Sequence, residues 1–127
     1  MPRNIDIEKV RNFLKEKEDR RRKMLQERWA VACNDFNRIV SHIISTYRPL
    51  RIYQWGSLLH PEHFSEISDI DIALEGLSSP DEYFAILGDV MNMSSFPLDI
   101  IDLGKVDAET AAFIKQRGKL IYERESD

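Results

Sequence analysis

The sequence predicts an α/β (α+β) fold, a small mixed β-sheet flanked by helices and preceded by a long N-terminal helical region. Two observations carry this expectation. From Arg3 to Arg48 the chain contains no proline or glycine, an unusually long stretch without a helix breaker. After Pro49, short runs rich in β-branched and aromatic residues alternate with segments that carry helix-start signals, the pattern of helices packed on a sheet. At 127 residues, 43% hydrophobic and 31% charged, the chain suits one modest core. Residues 1–48 read as a helical region that supplies an interface and a core-packing helix. Residues 49–127 read as the sheet-bearing core of the same structural domain.

The elements follow in order. Leu25, Trp29, Ala32, Cys33, Phe36, Ile39, Val40, Ile43, Ile44 and Tyr47 recur at steps of three and four, a stripe that buries one helix face. The preceding KEKEDRRRK, Lys15 to Lys23, is almost wholly charged and reads as solvated helix with a break near Glu18 to Arg22. Ile7, Val10, Phe13 and Leu14 form a short apolar patch before it. Pro49 ends the helical region. RIYQWG is a first strand with a turn at Gly56, and a short loop or helical turn follows from Ser57 to His60. DIDIALEG, Asp69 to Gly76, is a second strand. In SSPDEYFAILGDVMNM, Ser79 is the expected N-cap, Pro80 stands at the first helical position, and Glu82 completes a capping box. FPLDIIDL is a third strand. DAETAAFIKQRG is a helix capped by Asp107 and stopped at Gly118. KLIYE is either a terminal strand or an extended tail.

Composition excludes several functions. A net charge of −4 argues against a general nucleic-acid binder. No apolar run approaches the roughly 20 residues that span a bilayer. The N-terminus has no apolar signal core, so the expected location is the cytoplasm. The single cysteine, Cys33, lies on the apolar helix face and reads as a small core residue.

Chemistry concentrates in WGSLLHPEHFSEISDIDIALEG, Trp55 to Gly76. Asp69 and Asp71 stand two apart, so on a strand they share a face about 6–7 Å apart and repel unless a cation lies between them. Hard Mg²⁺ suits such oxygen ligands. Asp99 on the third strand can join them, whereas Asp102, three residues on, faces the other way. Three convergent carboxylates suit two-metal phosphoryl or nucleotidyl transfer. Gly56 lets the backbone approach a triphosphate, and Ser57 supplies a hydroxyl and a helix-start amide. His60 and His63 read as a polar loop lining a nucleotide pocket, because two loop histidines without a third ligand do not make a zinc site. The DRRRK run reads as a solvated face. Lys115, Arg117 and Lys119 either approach a phosphate or complement a helix dipole. Trp29 and its stripe read as core or dimer seam.

These motifs, with FPLDIIDL and IKQRGKLIYE, resemble the minimal nucleotidyltransferases of the DNA polymerase beta superfamily over roughly Arg51 to Glu123. The resemblance implies a nucleotidyltransferase fold at 49–127, Mg²⁺ or Mn²⁺, an NTP (ATP foremost) as donor, and Gly56, Ser57, Asp69, Asp71 and Asp99 as site residues. It also implies a partner, since small members act beside HEPN-domain proteins in toxin–antitoxin pairs and some add AMP to the toxin. The loop departs from the family's commoner form: Leu58, Leu59 and His60 stand where arginine and glycine usually follow the Gly-Ser. Eleven residues separate Ser57 from Asp69, one more than is usual. Two other functions share these motifs, an antitoxin-like binding module without catalysis and a nucleotide sensor. A second copy docked through the N-terminal helix is a further expected partner.

Overall fold

The computed structural model describes residues 6–125. Helix α1 runs over Ile7–Thr46, starting at Asp6, whose side chain accepts from the Lys9 amide at 3.1 Å. The break expected near Glu18 to Arg22 does not occur. Glu and Arg there favour helix, no glycine or proline interrupts it, and Glu18–Arg21 and Asp19–Arg22 add pairs one turn apart at 3.9 and 4.0 Å. The part of the N-terminal region before residue 6 lies outside the described residues. Arg48 takes φ +56°, turning the chain out of α1 just before Pro49.

Strands β1 (Arg51–Trp55), β2 (Ile70–Glu75), β3 (Leu98–Asp102) and β4 (Lys119–Glu123) form one sheet in the order β3-β2-β1-β4. β1 is antiparallel to β2 and β4, whereas β2 and β3 are parallel. KLIYE is therefore a strand. The parallel pair needs a crossover, which helix α2 (Pro80–Val90) provides. Ser79 caps it by accepting from the Glu82 amide at 3.2 Å. The Glu82 carboxylate returns to the amide and hydroxyl of Ser78 rather than to Ser79, one residue beyond a reciprocal capping box.

Alternation along the strands gives the sheet two unequal faces. Ile52, Ile70, Ile72, Leu74 and Ile100 turn toward α1 and α2 and meet Phe36, Ile39, Ile43, Ile86 and Val90 in the main core. Tyr53, Ala73 and Leu103 turn the other way, against Ile114 of helix α3 (Ala108–Arg117). Asp107 caps α3 through the Thr110 amide at 2.6 Å. Gly118 ends it for a reason of space. Its φ is −83°, but a Cβ would stand 2.7 Å from the Ile114 carbonyl oxygen and 2.8 Å from that of Gln54.

Lys115 of α3 is tied to Glu75, which also accepts from Arg51 at 2.6 Å. Burial pulls the Glu75 carboxyl upward, but the hydrogen bonds from Lys115 and Arg51 outweigh it and hold it below its ordinary value. Lys115 is thus engaged in holding α3 to the sheet, and Arg117 lies over the Phe113 ring at 5.2 Å. The small second core leaves Asp71 half-buried and Asp99 exposed on the α3 face.

Candidate active site

Asp71 and Asp99 are register partners across the parallel β2–β3 pair. Asp69 lies immediately before β2, which begins at Ile70 and not at Asp69. The two-residue period places it on the same face as Asp71. Burial first, then the charges of Asp99 and Asp69, push the Asp71 carboxyl up to about 6. Asp71 therefore feels both of the other acids. Asp102 pairs in register with Leu74, whose side chain enters the main core, and its Oδ1 accepts from the Gly104 amide at 2.9 Å in the turn leaving β3. It stays out of the cluster.

Gly56 follows β1, which places it beside β2. Its φ of +83° with ψ −163° is open to glycine almost alone, and a Cβ there would collide with the Asp71 carboxylate. The backbone requires glycine here, and a Cβ would in addition displace the carboxylate of an acid of the site itself. Ser57 opens a three-residue 3-10 turn, Ser57–Leu59, in which the Leu59 and His60 amides turn back to the carbonyls of Gly56 and Ser57. A turn this short carries little helix dipole, so the helix-start contribution expected at Ser57 reduces to its hydroxyl and one or two amides. Leu58 points into the main core. His60 and His63 are exposed, with ring centroids 5.7 Å apart.

Three residues that shape this site carry no sequence motif. Trp29 of α1 donates its indole N–H to the Leu58 carbonyl oxygen at 3.0 Å. Asp35, 8% exposed, accepts from Ser94 at 2.7 Å and Arg38 at 3.0 Å, and Arg38 also donates to the Met93 carbonyl. These bonds pin the segment leading into β3 and so set where Asp99 stands. Tyr83 donates to the Ile100 carbonyl at 2.7 Å on the outer edge of β3, and burial, then Asp99 and Asp102, push its hydroxyl pKa up. A groove of about 480 Å³ runs along this edge from Asp99, lined by Tyr83, Phe84, Ile101 and Val106. A helical wheel could have flagged Asp35 as a polar intruder among Ala32, Phe36 and Ile39. The other two needed the tertiary contacts.

Among the described residues no three His, Cys, Asp or Glu side chains already converge as metal ligands. The donor set nevertheless fits a hard divalent cation. Asp69, Asp71 and Asp99 offer carboxylate oxygens only, form no ion pair with a basic side chain among the described residues, and raise the proton affinity of Asp71 by their proximity. A cation would relieve that repulsion.

No helix among the described residues is long and apolar enough to cross a membrane. No curated protein matches the chain by sequence. A family model described as "Polymerase beta, Nucleotidyltransferase" matches residues 37–127, which hold the whole sheet, the Gly-Ser turn and all three acids. With that match over more than half its length, and with a mixed sheet that sets acids on adjacent strands beside a glycine-serine turn, the chain belongs to the polymerase beta nucleotidyltransferase family.

Proposed function

We propose that the protein transfers a nucleoside monophosphate, AMP foremost, from an NTP to a hydroxyl group on a separate protein, in a metal-dependent reaction. The observation that carries this reading is the β2–β3 register, which sets Asp99 directly beside Asp71 with Asp69 one pleat before it. Asp69, Asp71 and Asp99 would hold Mg²⁺ or Mn²⁺, which when bound neutralises charge on the triphosphate and the departing pyrophosphate. The Gly56-Ser57 turn binds the phosphates, with the Ser57 hydroxyl donating to an oxygen. The strand order puts this turn at β1 and the apolar groove at β3, on opposite sides of the acids. The acceptor then approaches along the groove, and Asp99 takes the hydroxyl proton as the new O–P bond forms and the bond to pyrophosphate breaks.

The acceptor proposed is a HEPN-type helical partner. Its docking surface is the exposed arm of α1, where Ile7, Val10, Phe13 and Leu14 face solvent at 66, 47, 59 and 55% exposure. A second reading, an antitoxin-like module or nucleotide sensor without turnover, is favoured by one feature: Leu58, Leu59 and His60 follow the Gly-Ser where the family's commoner loop carries arginine and glycine, and Leu58 is buried.

The test mixes the protein with labelled ATP, Mg²⁺ and the product of its adjacent gene. Labelled neighbour and free pyrophosphate are the expected products. Asp69→Ala and Asp71→Ala should each remove nearly all turnover. Ser57→Ala should slow it about ten- to a hundredfold, the value of one hydrogen bond to a charged group. Label transferred equally well by Asp69→Ala would end the enzymatic reading.

A further inference from the structure

The loop between Ser57 and Asp69 has almost no regular structure, only two three-residue 3-10 turns, Ser57–Leu59 and Pro61–His63. It nevertheless joins the proposed phosphate-binding serine to the first acid of the cluster. Its geometry must come from outside itself, because isolated 3-10 turns of this length hold no fixed shape. Two consecutive residues of α1 supply it. Trp29 donates to the Leu58 carbonyl at 3.0 Å, next to Ser57. Arg28 donates to the Glu66 carbonyl at 3.4 Å, near Asp69, and Arg21, two turns earlier, pairs with the Glu66 carboxylate at 3.7 Å.

The front and back of the loop are thus gripped from one stretch of helix. Between them Phe64 is buried against the core, and Arg28 also lies 4.9 Å over the Phe96 ring, which fixes its guanidinium. The bond from Trp29 is the strongest part of this clasp. An indole N–H is a donor with no acceptor function and one fixed direction, and the carbonyl it meets belongs to a residue only 2% exposed. The helix side of the clasp, Arg21, Arg28 and Trp29, lies before residues 37–127, so the matched family segment holds only the half that is gripped.

We infer that Trp29, assisted by Arg28, is a positioning residue that holds the Ser57–Asp69 loop in its phosphate-binding shape. The inference rests on the reading of that loop as a nucleotide site, but its first test needs no nucleotide. In Trp29→Phe, which keeps an aromatic ring and loses the donor, the Leu59 and His60 amides should exchange with solvent about three- to tenfold faster. The Ile72 and Leu74 amides of β2 should be unchanged.

The second test measures binding of Mg²⁺ with ATP, of Mg²⁺ with inorganic tripolyphosphate, which removes any dependence on the base, and of AMP. Trp29→Phe should weaken the first two by about three- to tenfold and leave AMP as in the wild type. A role confined to packing would lower the melting temperature and weaken all three alike. Arg28→Met should reproduce the loss in milder form. Unchanged exchange at Leu59 and His60 overturns the inference whatever the ligands do. Faster exchange in a protein whose wild type binds neither triphosphate would uphold the clasp and remove the nucleotide reading instead.

Discussion

Asp71 is ordinary in sequence and unusual in place. It sits between Asp69 and Asp99, half-buried, and its carboxyl is raised from 3.8 to about 6, first by burial and then by the two neighbouring charges. A raised carboxyl is bound by its proton more tightly in the folded chain than in the unfolded one. Its contribution to stability is therefore full below about pH 3.8 and is lost as pH rises through about 6. Asp71→Asn removes the charge and keeps the shape, so it should raise the melting temperature above pH 7 and change it little near pH 4.5. Because the carboxyl is half-exposed and screened, the gain should be modest, on the order of 2–5 °C. A thermal melt series from pH 4.5 to 8 checks this, and a variant that gains nothing at high pH would show that neither burial nor the neighbouring acids penalise the Asp71 charge. The same substitution should remove the proposed nucleotide transfer, a stability gain at the cost of function that would mark a residue kept for its chemistry.

Helices α1 and α3 reach their positions by different means. α3 holds a small core with one fully buried residue, Ile114, and depends on its ties to the sheet at Glu75 and on close passage of the chain at Gly118. Gly118→Ala would force a methyl against two backbone oxygens, one in α3 and one in β1, and neither can yield as a side-chain tip would. The expected cost is about 1–3 kcal/mol by denaturant unfolding. Full stability in that variant would mean that the α3–β1 approach is looser than described. Helix α1, by contrast, buries Ala32, Phe36, Ile39 and Ile43 almost completely, so its second half belongs to the core. In its first half every apolar residue but the half-buried Leu25 is exposed.

At the scale of the whole molecule that asymmetry shapes how the protein meets others. The segment from Ile7 to Arg28 extends about 30 Å as helix and buries little against its own domain. A free helix of that length is marginal in water, held here by continuity with the buried half and by its i,i+3 pairs. Removing residues 1–22 should leave the unfolding transition nearly unchanged and should abolish capture of the proposed helical partner. Sedimentation of the truncated and full chains separates this from self-association, in which the full chain alone would run as a dimer. A truncated chain that fails to fold would place the arm in the core.

The sequence by itself determined the fold class, the element order and the strand face on which Asp71 and Asp99 stand, because these rest on local rules. Strand alternation decides which face a residue takes, so Asp102 could be set apart from Asp99 by counting. Caps at Ser79 and Asp107 announce helices through their own hydrogen bonds. The ambiguous ends were those where local signals compete. The charged run Glu18 to Arg22 looked like a break because its composition is that of a solvated loop, yet no breaker residue stands there and the helix continues. KLIYE could not be read as a strand without its partner, since β4 exists only by pairing with β1 across more than sixty residues of chain. The clasp on the Ser57–Asp69 loop, the buried Asp35 and the close approach of Asp71 to Gly56 were likewise decided only by the tertiary structure. Each is a contact between elements distant in sequence, and no local pattern of residues records what a side chain will meet when the chain folds over it.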